Sequence, residues 1–169
     1  IKTKTISPGS FSAIEAGGAF SIYILQDSSS TARLETDENL LDYIEMDIHD
    51  NILEIRTKRD VNLRPSGKIK VFVSTPSLNM VKASGACDVK SENRITSETA
   101  FKVKLSGASN VNMDLKAPDV SADLSGAGSI ILKGETKNLI LEGSGSTDIK
   151  CFEMMAENTR VRISGAGDA

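Results

Sequence analysis

The 169-residue sequence predicts an all-β fold, a β-solenoid in which short parallel strands stack coil upon coil. Three observations carry that expectation. Ser-Gly recurs at Ser84-Gly85, Ser106-Gly107, Ser125-Gly126, Ser144-Gly145 and Ser164-Gly165, with glycine spacings of 22, 19, 19 and 20 residues. The residues before each glycine alternate with period two. Apolar Val81, Val103, Ala122, Leu141 and Val161 stand four places before it, and charged Lys82, Lys104, Asp123, Glu142 and Arg162 three places before. Finally, no 3.6-residue period appears, and glycine and β-branched residues at these places disfavour a helix. A unit of about 20 residues cannot bury its own apolar face and must stack on its neighbours.

Leucine-rich repeats share this length, but their Leu-x-x-Leu-x-Leu pattern is absent. In-register stacking sets Lys104 beside Asp123 and Glu142 beside Arg162, opposite charges on adjacent coils. Each exposed pair of that kind is worth about 0.2–1 kcal/mol, so it checks the register more than it stabilises the stack. The glycines let the chain bend where a Cβ would clash or φ is positive.

From the N-terminus, residues 11–24 carry a first copy of the pattern around Gly18, with Ile14, Glu15, Ala16 and Gly17 before it. Gln26–Thr31 is a polar turn and Ala32–Glu35 a short strand; Asp37 then caps a brief helical turn. Residues 44–57, IEMDIHDNILEIRT, form a hairpin that turns at Asp50-Asn51. A loop over 59–67 precedes the strand KIKVFVST, which Pro76 ends. The expected organisation is one domain over 1–169, with a less regular part at 1–76 and regular Ser-Gly units at 77–169.

Composition narrows the function classes. Twenty basic residues face 23 acidic ones, a net charge of −3, which provides no basic surface for nucleic acid. His49 is the single histidine, tryptophan is absent and aromatics make 4%. These scarcities exclude a His-built metal site, and exclude a Ser-His-Asp or Cys-His pair unless His49 serves. No cofactor or metal is expected. No apolar run approaches the roughly 18 residues of a membrane span. Ile1 in place of Met marks a processed chain, and export would have removed a signal segment. Cys87 and Cys151 lie three coils apart, roughly 14 Å along the stack. A disulfide needs a Cα separation of about 4.4–6.8 Å, so two free thiols are expected.

The segments DENLLDYIEMDIHDNILEIRT (37–57) and VFVSTPSLNMVKASGACDV (71–89), with the serial LSGASNV, LSGAGSI, GSGSTDI and ISGAGDA, carry a resemblance. From Phe11 to Ala169 the chain resembles the putative auto-transporter adhesin, head GIN domain family. The resemblance implies a right-handed single-stranded parallel β-helix and an extracytoplasmic bacterial protein, in the periplasm, outer membrane or cell surface. It also implies an affinity with predicted lipoproteins, with membrane association only through a lipid anchor outside this chain. It supplies no catalytic residues to carry over.

Two columns are the candidate sites. Three places after each glycine stand Asp88, Asn110, Ser129, Asp148 and Asp168. Asp148 and Asp168 on neighbouring coils would suit an enzyme acting on polysaccharide, since that chemistry needs paired carboxyls. The favoured reading is that the column holds turn residues bonded to backbone, for it contains no Arg or Lys. Ser84, Ser106, Ser125, Ser144 and Ser164 form a hydroxyl ladder, suited to saccharide hydroxyls or, more simply, to the corner's own backbone. GAGDA is not a calcium nonapeptide, because that motif repeats every nine residues. His49 reads as an exposed turn residue, and Phe11, Phe20, Tyr23 and Tyr43 read as core, with one exposed Tyr able to serve a binding patch. The expected function is a non-enzymatic exported binding or structural module whose partner is a glycan or protein. A polysaccharide-active enzyme and an end-to-end self-associating protein are the alternatives.

Overall fold

Strict alternation places the core. In Phe101–Leu105 (FKVKL), Phe101, Val103 and Leu105 point inward and are buried, while Lys102 and Lys104 point out. The computed structural model describes residues 2–6, 11–36, 43–57 and 69–168. The expected cap at Asp37 and the loop over 59–67 lie outside those residues.

Eleven strands form one sheet: β1 (Lys2–Ile6), β2 (Ala13–Gly18), β3 (Phe20–Gln26), β4 (Thr31–Thr36), β5 (Ile44–His49), β6 (Ile52–Thr57), β7 (Ile69–Thr75), β8 (Met80–Gly85), β9 (Asp88–Thr96), β10 (Phe101–Leu105) and β11 (Asn110–Asp168). Their spatial order is β1-β4-β7-β3-β9-β11-β10-β8-β2-β6-β5. The long extended run β11 pairs with β9 through residues 110–116 and with β10 through 120–124, so the sheet curls back around it.

This architecture corrects the expected right-handed single-stranded parallel β-helix. The sheet is mixed and curls into a half-barrel, because β1/β4, β4/β7 and β5/β6 run antiparallel. The expected hairpin accounts for β5/β6, while the other two pairs arise because β4 docks between β1 and β7, segments distant from it in sequence. Asp50 and Asn51 take φ of 51° and 65°, a reversal with two positive φ angles that folds β5 directly back on β6.

The Ser-Gly register itself survives within the mixed sheet. Ile14 pairs with Val81, Val81 with Val103, and Val103 with Ala122, all of them 0–2% exposed. Lys104 pairs with Asp123, and Glu15 with Lys82, whose charges lie 3.9 Å apart. Gly107 shows why the corner needs glycine. Its φ is 74°, and an added Cβ would lie 2.6 Å from the Gly85 carbonyl oxygen. That same oxygen accepts the Ala108 N–H at 2.8 Å.

One irregularity interrupts the parallel register. Asn112 pairs with Lys90 but Asp114 with Arg94, so β9 bulges between them. Gln26 stitches this bulge in place. Its backbone N–H and carbonyl bond the Asn93 amide at 3.0 and 2.9 Å, and its own amide spans to the Thr96 backbone at 2.8 and 2.9 Å.

Candidate functional site

The column three places after the glycines is a hydrogen-bonded ladder across the sheet. Asn110 Nδ2 donates to Asp88 Oδ1 at 2.9 Å, and Asn110 Oδ1 accepts from both the hydroxyl and the backbone N–H of Ser129, at 2.8 and 3.1 Å. Asp148 stands exposed further along β11, and the Asp168 side chain lies outside the described residues. The structure therefore joins Asp88, Asn110 and Ser129 in one ladder, with Asp148 exposed beyond it.

The serine column is spent in part on the corners. Ser84 and Ser125 donate to the Ala16 and Leu105 carbonyls of the preceding layer at 3.5 and 3.4 Å, while Ser144 and Ser164 are exposed and Ser106 is half-buried. Among the described residues, no three His, Cys, Asp or Glu side chains gather as a metal site. His49 is exposed opposite Ile52 beside the hairpin turn.

Cys87 is a free and buried thiol that donates toward the Ser84 and Gly18 carbonyls. Burial pushes its pKa up, with the Asp88 charge adding to the rise against a lowering backbone hydrogen bond. A thiol held protonated is a poor nucleophile. The Cys151 side chain lies outside the described residues.

Sequence reasoning missed the most distinctive surface. Arg33, Phe72, Tyr23, Lys90 and Asn112 are register partners in turn across β4, β7, β3, β9 and β11, and so form one row. The Tyr23 and Phe72 rings stack at 5.1 Å with planes 16° apart, and the Arg33 guanidinium lies 4.4 Å from the Phe72 centroid. Phe11 and Phe20 are core as expected, but Tyr23 is only half-buried and Tyr43 is 42% exposed. The signal was present in the alternation. Tyr23 lies between buried Ile22 and Ile24, Phe72 between Val71 and Val73, and Arg33 between Ala32 and Leu34. Each must face outward.

Two cavities flank Tyr23. One of about 450 Å³ lies toward Thr5, Arg33, Phe72 and Glu92. The other, about 280 Å³, is walled by Lys70, Lys90, Asn112 and Ile131 and floored by the Asp88–Asn110–Ser129 ladder.

Comparison with known proteins agrees with the resemblance in the sequence. The family described as putative auto-transporter adhesin, head GIN domain, matches residues 10–169. The fold is similar to the crystal structure of a putative adhesin from Bacteroides fragilis NCTC 9343, with a TM-score of 0.80 at 19% identity over 99% of this chain and 94% of that one. A putative lipid binding protein from Parabacteroides distasonis ATCC 8503 is similar at TM-score 0.76 and 20% identity, covering 98% and 79% of the two chains. A putative adhesin from Parabacteroides merdae ATCC 43184 gives 0.73 and 22%, covering 98% and 78%. No curated protein matches the chain.

Proposed function

Since the chain belongs to the putative auto-transporter adhesin, head GIN domain family, we propose that it is an exported, adhesin-like binding module of a bacterial cell surface that catalyses no reaction. The single observation that carries this reading is the fate of the acidic column. Asp88 is held by the Asn110 amide, and Asn110 in turn by Ser129, so these side chains brace adjacent strands. A glycoside-cleaving pair needs two carboxyls facing one another across a bond, at about 5–10 Å. The outer face instead offers a broad, rigid relief of side chains fixed by strand register, which suits recognition of a partner outside the cell. The partner is a glycan or a protein, met while the chain is held at the surface through an anchor outside the residues considered.

Two measurements test this. Cell fractionation and surface labelling of the native host are expected to find the protein outside the cytoplasm. Incubation with a polysaccharide panel is expected to release no new reducing ends or unsaturated products, with Asp148→Ala identical to the parent. Turnover abolished by Asp148→Ala would restore the enzyme alternative.

A further inference from the structure

We propose that the groove beside Tyr23 binds an acidic saccharide, a glycan chain carrying carboxylates; the assignment rests on the binding-module reading above. The argument begins with two adjacent rows on the same outer face. In the first, Asp88, Asn110 and Ser129 satisfy one another and form a stiff floor. In the second, Tyr23, Lys90 and Asn112 lie side by side in register and make no side-chain hydrogen bond or ion pair among the described residues. One row is closed and the other is open.

The open row matches what a sugar asks of a protein. A pyranose has hydroxyls around its rim that need donors and acceptors, and C–H faces that prefer an apolar wall. Lys90 gives three N–H donors, Asn112 donors and an acceptor, and the Tyr23 hydroxyl can do either. The Tyr23 ring and Ile131 provide the apolar wall. Ile131 is 39% exposed, although it occupies an outward position in a strand whose neighbouring outward residue is Lys133. The cavity between them, about 280 Å³, is the size of a small ligand fragment and is open to solvent.

Charge decides the kind of sugar. The protein as a whole is acidic, at −3, yet this groove is lined by two ammonium groups, Lys90 and Lys70, the latter opposite Glu35 on the next strand. Its one lining carboxylate, Asp88, is braced by Asn110 and keeps its charge, which leaves the lining positive by one. The cavity on the other side of Tyr23 sets Glu92 against Arg33, whose guanidinium is stacked on Phe72, so its lining has no surplus of positive charge. A carboxylated residue therefore lodges on the Lys70/Lys90 side, with the next sugar running over Asn112 and Ile131. Such an ammonium–carboxylate contact is a charge-assisted hydrogen bond, stronger than a neutral one.

The test is calorimetric titration of the whole chain with oligogalacturonate and with sialyllactose, each against its neutral counterpart, methyl-esterified oligogalacturonate and lactose. We expect at least one acidic probe to bind, its neutral counterpart to bind about tenfold more weakly or not at all, and affinity to fall as salt rises. Lys90→Gln and Tyr23→Ala are each expected to weaken binding about tenfold with the melting temperature retained for Lys90→Gln, while Lys104→Gln on β10 changes nothing. The proposal is overturned if neither acidic probe binds, or if Lys90→Gln binds as the parent does. Phosphatidylglycerol vesicles and a matrix-protein array run in parallel. Binding there that ignores Lys90 and Tyr23 would sink the saccharide site and leave the binding-module reading standing; silence on every arm would sink both.

Discussion

The antiparallel and parallel parts of this sheet turn the chain by different means, and the difference decides how tightly each turn depends on its surroundings. The β5–β6 hairpin reverses through Asp50 and Asn51, two exposed residues with positive φ whose strain is met locally. In the parallel part, Gly126 has φ of 93°, and a Cβ there would lie 2.6 Å from the Gly107 carbonyl oxygen. The hairpin turn touches the rest of the sheet through the Asn51 carbonyl, which accepts from the Ser12 and Ala13 N–H groups, whereas a stacked corner is pressed against the backbone of the corner before it.

Four measurements would break or sharpen that contrast, taken from the largest effect to the smallest. Phe101→Ala removes a fully buried ring from the parallel stack and is expected to cost about 3–5 kcal/mol in urea unfolding. Ile48→Ala in the half-buried hairpin face should cost only about 1–2 kcal/mol. Equal losses would mean that the hairpin is as integral to the core as the stack. Next, Gly126→Ala adds left-handed strain and a backbone clash, an expected loss of about 2–4 kcal/mol. Asn51→Gly at the hairpin should instead gain about 0.5 kcal/mol, because positive φ is easier for glycine and nothing crowds the site. Thermal melts of the two variants should therefore move in opposite directions.

Gln26→Ala comes third, at about 1–2 kcal/mol, through loss of its side-chain bonds to Thr96 and Pro76. Hydrogen exchange at Thr96 should accelerate in that variant, and an unchanged rate would show that the bulge holds without the stitch. The smallest effect is read by pH. Because the folded Cys87 pKa is raised, the folded chain keeps a proton that the unfolded chain releases. The resulting stabilisation is complete below the unfolded thiol value of about 8.5 and is lost as pH rises through the folded value. Cys87→Ala is expected to flatten that alkaline decline, as followed by denaturation midpoints above neutral pH.

Much of the parallel part was legible from residue identity, because glycines with positive φ and a two-residue alternation leave a periodic trace. Pairing of Val81, Val103 and Ala122 and of Lys104 with Asp123 follows from that trace alone. The mixed sheet was not legible. The pairing of β4 with β7 joins Arg33 to Phe72 across 39 positions, and no local signal distinguishes an antiparallel from a parallel partner at that distance. Two further close approaches also left no trace in the Ser-Gly pattern. A Cβ on Gly128 would clash with the Ser109 carbonyl oxygen, and one on Gly134 with that of Leu115. At the candidate site the alternation already turned Tyr23, Phe72 and Arg33 outward, but only the sheet order could set them in one row.

The β9 bulge governs how such a chain can change length over evolutionary time. Gly85 and Gly107 are 22 residues apart and Gly107 and Gly126 are 19 apart, yet an added Cβ on Gly107 or Gly126 would lie the same 2.6 Å from the preceding glycine's carbonyl oxygen. Two of the three surplus residues are extruded at the β9 bulge beside Asn93 and the third between Thr96 and Phe101, so neither corner is disturbed. An extra residue between Val103 and Gly107 has no such outlet and would invert the facing of every side chain up to the turn. Insertions and deletions among descendants of this sequence are therefore channelled to one margin of the molecule, next to the Tyr23 grooves. The stacked corners stay fixed in number of residues while the neighbouring rim is free to diversify.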